Sequence, residues 1–84
     1  MKALNDYVAQ KNSWNAIFGK APYTLSSAQD RKELARDIDS ELSPENLHCD
    51  GEISHAQAMA KYRKLSTVAR QLQKLDPTVE IYEL

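Results

Sequence analysis

With 84 residues, 42% hydrophobic and 27% charged, the chain is the size of one domain (1–84), close to where a single core only just offsets chain entropy. A formal charge of -1 removes any case for a nucleic-acid binder from whole-chain basicity, so charge has to be read segment by segment. A lone cysteine, Cys49, excludes an internal disulfide, and the first twenty residues have no apolar run longer than Ala16-Ile17-Phe18. Together these predict a soluble, cytoplasmic protein with neither signal peptide nor membrane span.

In chain order, Leu4, Tyr7, Val8, Trp14, Ile17 and Phe18 recur at helical spacing, interrupted at Lys11, and Gly19 stands where helices usually stop. They predict helix one over 2–18, bent or broken near Asn12. Pro22 keeps the following connector out of helix. Ser26 lies three residues before Gln29, a capping-box spacing that opens helix two, about 27–42, with Arg31, Leu34, Ala35, Ile38 and Leu42 as its inner face. Ser43-Pro44-Glu45-Asn46 combines a cap, a first-turn proline and an acid, which nucleates one helical turn anchored by Leu47.

The longest predicted helix covers 54–75. Ala58, Tyr62, Leu65, Ala69 and Leu72 are spaced by four, three, four and three, one buried face, with Ser54 and Gln57 at capping-box positions and Asp76-Pro77 ending the run. The tail from Val79 to Leu84 alternates apolar and acidic residues and is compatible with a strand, a last turn or a loose arm. The expected fold class is all-α: three helices, the second and third an antiparallel hairpin, the C-terminal one longest, and helix one closing the apolar side through Trp14 and Phe18. Small Ala58 and Ala69 would let another helix, from this chain or a second copy, approach closely.

Charge divides unevenly between the helices. Residues 54–75 hold five bases (Lys61, Arg63, Lys64, Arg70, Lys74) and no acid, whereas 28–53 hold eight acids and three bases. On a wheel at ~100° per residue, Arg63, Arg70 and Lys74 fall opposite the apolar stripe, with Lys61 and Lys64 beside it. Asp30, Glu33, Asp37 and Glu41 line one edge of helix two, and Lys32 and Arg36 the other. Either the acidic and basic helices neutralise each other across the hairpin, or Arg63, Arg70 and Lys74 meet carboxylates or phosphates of a partner.

Residues 46–57 resemble an EF-hand calcium loop in Asp50 and Gly51 at the fifth and sixth positions, Ile53 at the eighth and a helix on each side. They depart from it at Asn46, His48 and Gln57, where that motif needs its first aspartate, its third ligand and its closing glutamate. A turn at Asp50-Gly51, an inward Ile53 and a capping Ser54 explain the same residues. His48, Cys49, Asp50 and His55 are zinc-ligand types without a paired spacing. A nucleophilic Cys49 would need a cleft and an oxyanion site, so Cys49 reads as a small buried apolar residue. Tyr7, Trp14, Tyr23 and Tyr62 are chemically able to stack on bases, but their spacing assigns them to the core.

The expectation is therefore a non-enzymatic interaction or regulatory module, without cofactor, metal or membrane partner. It would bind a protein through Arg63, Arg70 and Lys74 and self-associate, with weak nucleic-acid binding through the same cations as the alternative.

Overall fold

A computed structural model describes residues 1–47 and 54–84. These form α1 (Lys2–Ile17), α2 (Ala28–Leu42), the single turn α3 (Pro44–Leu47) and α4 (His55–Leu75), with no strand among them. The all-α class, the hairpin and the long last helix are as expected from periodicity. The Leu47 side chain and residues 48–53, on which the expected anchoring of α3, the burial of Cys49 and the Asp50-Gly51 turn fall, lie outside the described residues.

α4 is the central element because its start is fixed locally and two of its sides are apolar. The Ser54 hydroxyl accepts from Gln57 N at 3.2 Å while Ser54 N donates to Gln57 Oε1 at 3.0 Å, the reciprocal capping box. Ala58, Leu65, Val68, Ala69 and Leu72 are buried, Ala69 and Leu72 completely. Both small residues therefore face this chain's own interior. Each fully buried leucine of this core contributes roughly 1.5–3 kcal/mol.

α2 covers one side of α4 with Leu34, Ala35, Ile38 and Leu42, all buried. The pair is antiparallel: Arg31, in the first turns of α2, donates from Nε to Asp76 Oδ2 at 2.7 Å just past the end of α4. Its Nη1 also holds the Leu25 carbonyl at 2.7 Å, which fixes the approach to α2. The helix begins one residue later than the Ser26–Gln29 spacing suggests. Ser27 is the cap, accepting from Asp30 N at 3.3 Å, because Asp30 can then accept from Thr24 N at 2.9 Å and close the turn behind it.

α1 packs on α4 from the other side, but not as expected. Its buried residues are Leu4, Tyr7 and Val8, and Leu4 N donates to Gln71 Oε1 of α4 at 2.9 Å. Trp14, Ile17 and Phe18 are 54, 70 and 68% exposed, so they do not close the core. The reason is reach: α1 packs on α4 through Leu4, Tyr7 and Val8, its backbone makes no contact with that of α2, and the connector meets the second half of α1 at Asn12 and Asn15 without covering the three apolar side chains. Nor is α1 broken at Asn12, whose amide clasps the connector, accepting from Tyr23 N at 2.7 Å and donating to Tyr23 O at 3.1 Å. α1 ends in a Schellman motif, with Gly19 N to Ala16 O at 3.3 Å, Lys20 N to Asn15 O at 2.7 Å and Gly19 at φ 71°, where a side chain would be strained.

The tail is neither strand nor helix. Val79 and Ile81 are buried, and the Asp39 carboxylate of α2 accepts from Tyr82 N at 3.0 Å and Glu83 N at 2.8 Å, so one side chain stands in for a neighbouring strand. Asp76 is held ionised there: hydrogen bonds from Thr78 and Arg31 bring its carboxyl down to about 2.

Candidate interaction surfaces

The charged rims show which groups the fold uses and which it leaves over. Every ion pair among the described residues draws on Lys11 or Arg31: Lys11 Nζ lies 3.5 Å from Glu41 and 3.9 Å from Asp37, and Arg31 meets Asp76. The acidic edge of α2 thus faces α1 and the connector, about 100° from the side that packs on α4. Tyr7 donates to Glu41, Tyr23 donates to Asp37 at 3.3 Å, and Lys11 stands 5.5 Å over the Tyr7 ring. Burial, followed by the hydrogen bond to Glu41, raises the Tyr7 hydroxyl far above the ordinary phenol range. The Lys11 and Asn12 interruption of the α1 face is what builds this polar bridge between α1 and α2.

On α4 the result is the opposite. Arg63, Arg70 and Lys74 are all exposed, and no acid among the described residues comes within ion-pair distance of them. Of the helix-two acids that were candidates to neutralise them, Asp30, Asp37, Asp39 and Glu41 are committed to Thr24, to Tyr23 and Lys11, to the tail amides, and to Tyr7 and Lys11, and Glu33 accepts from Gln29 at 3.4 Å. Two guanidinium groups and one ammonium group present donors to solvent along one helix face, which suits carboxylates or phosphates.

Lys61 and Lys64 point to the other flank, into an open groove of about 790 Å³ between α1 and α4. Ala3, Leu65 and Val68 make its apolar floor, and Lys2, Asp6, Gln10 and Gln71 its rim. Such a groove suits an apolar side chain with a flanking acid. Among the described residues no group of three His, Cys, Asp or Glu is arranged to hold an ion. Of the calcium-loop resemblance, His48, Asp50, Gly51 and Ile53 lie outside the described residues, as does Cys49 of the zinc-ligand reading. Gln57, its closing position, is spent on the helix cap.

A third surface escaped sequence reasoning. Trp14 and Phe18 stack with ring centroids 6.3 Å apart and planes 15° from parallel, and with Ile17 they leave an apolar plate in water. Nothing on α1 itself separates Trp14 from Tyr7, since both fall on one helical stripe; what differs is whether the fold supplies a neighbour. The signal that was present is the absence of any charged residue from 12 to 19.

Comparison of the chain with protein-family models, with curated proteins and with solved structures gives no match. No helix among the described residues is long and apolar enough to cross a membrane.

Proposed function

We propose that this chain is a small, non-enzymatic interaction module, in a reducing cytoplasmic setting, that receives an acidic surface of another protein on the outer face of α4. The observation that carries the reading is the charge ledger of the fold: Arg63, Arg70 and Lys74 face solvent with no acid among the described residues in ion-pair reach, while four of the five acids of α2 (Asp30, Asp37, Asp39 and Glu41) are bound elsewhere. Complementary charge of this kind acts mainly on association rate and on the choice of partner, and it is screened within about 8 Å at physiological salt. A phosphate backbone is the second reading, favoured by the two guanidinium groups. Three phosphate contacts give a salt slope of about -2.7, hence about 40-fold weaker binding between 50 and 200 mM salt.

The test is affinity capture from an extract of the source cells at ~50 mM salt, with wild type and R63Q/R70Q/K74Q as paired baits. The reading expects an acidic protein retained by wild type, released as salt rises and missing from the variant. Identical captures on the two baits would overturn it. Anisotropy with a labelled DNA duplex at the same salt decides the second reading, which fails if wild type and variant bind alike or not at all.

A further inference from the structure

The apolar plate of α1 lies apart from the cationic face, and an argument about it does not depend on what α4 binds. We propose that Trp14, Ile17 and Phe18 form a twofold contact with the same residues of a second copy of this chain. A twofold axis sets a surface patch on itself, so any charge near the axis meets its own like charge. That requirement excludes the acidic edge of α2 and the outer face of α4. The end of α1 meets it, because residues 12–19 contain no charged side chain. Its two rings are already stacked into a flat plate, so little side-chain freedom is lost on contact. Two α1 helices packed antiparallel about the axis would also oppose their dipoles favourably.

The area sets the strength. At 54, 70 and 68% exposure, the three side chains offer on the order of 400 Å² per copy, within the range of a functional patch on a small protein. Pairing two such patches covers roughly 800 Å², to which exposed Gln10 and Ser13 on the same helix add, while Lys20 marks the edge of the contact; this is the size of a weak, transient interface. A contact of this size is expected to form a weak, reversible dimer, and it leaves the α4 face open on each copy.

Trp14 is the only tryptophan, so the contact reports on itself. Sedimentation velocity of the full chain from ~1 to ~500 μM is expected to pass from monomer to dimer, with Trp14 emission shifting to the blue over the same concentrations. I17K and F18K, each placing a charge against itself at the axis, are expected to weaken the dimer at least ~30-fold while circular dichroism stays that of wild type. A monomer throughout the range, growth beyond the dimer, Trp14 emission that ignores concentration, or dimers of both variants as tight as wild type would each overturn the proposal. The emission measurement needs no variant, so the proposal stays testable should either substitution disturb folding.

Discussion

Leu4, in the first turn of α1, and Phe18, its C-cap, belong to one apolar stripe, yet the structure assigns them opposite energetic roles. Leu4 is completely buried, so Leu4→Ala removes a full transfer contribution and leaves a cavity where α1 meets α4, which costs about 3 kcal/mol. Phe18 is 68% exposed and gives up only about a third of its burial energy, so Phe18→Ala costs about 1 kcal/mol or less. Against a total stability of roughly 4–13 kcal/mol for 84 residues, the first loss is a large share and the second is small. Urea unfolding followed by circular dichroism at ~2 μM chain, below the proposed association, gives both values. A loss of 2 kcal/mol or more for Phe18→Ala at that dilution would mean that the ring is covered by its own chain, and the account of α1 would fail.

Other expectations follow from individual contacts. Ser66 is 4% exposed and its hydroxyl has no hydrogen-bond partner among the described residues, so Ser66→Ala should raise stability by about 0.5–1 kcal/mol; a loss would reveal a partner for that hydroxyl. Because the Asp76 carboxyl is brought down to about 2 from an ordinary value of 3.8, its contribution is complete above that ordinary value and disappears as pH falls through about 2. Asp76→Asn should therefore flatten the fall in melting temperature between about pH 4 and pH 2, and melting curves parallel to wild type would contradict this. Asp39→Ala should cost about 1 kcal/mol and speed amide exchange at Tyr82 and Glu83 without loosening α4; unchanged exchange there would show that Val79 and Ile81 hold the tail alone.

What the sequence made legible was whatever is decided locally. Ser54 and Gln57 name the start of α4, its stripe names the buried side, and the solvent face of Arg63, Arg70 and Lys74 follows from lying opposite that stripe. The start of α2 was off by one because Ser26 and Ser27 share the same cap chemistry. With Ser27 as the cap, Asp30 donates its backbone N–H to Ser27 and its carboxylate accepts from Thr24 N, a bond that the spacing of Ser26 and Gln29 does not announce. Trp14 and Phe18 were misassigned because periodicity tells which residues share a face, and not whether another element extends far enough to cover it. The tail was undecidable for a related reason: its order comes from Asp39, more than 40 positions away in sequence, accepting from two backbone amides.

The measurement closest to the central claim, that the outer cations of α4 are spare within the fold, is the urea stability of R63Q/R70Q/K74Q against wild type at ~20 mM and ~500 mM salt. Glutamine keeps the helix propensity, so the account predicts a loss below ~1 kcal/mol, owed to Lys74 in the last turn of α4, where a positive charge suits the helix dipole. A loss of 2 kcal/mol or more at low salt that disappears at high salt would show these residues neutralising acids of their own chain, and would remove the surface on which the proposed partner docks.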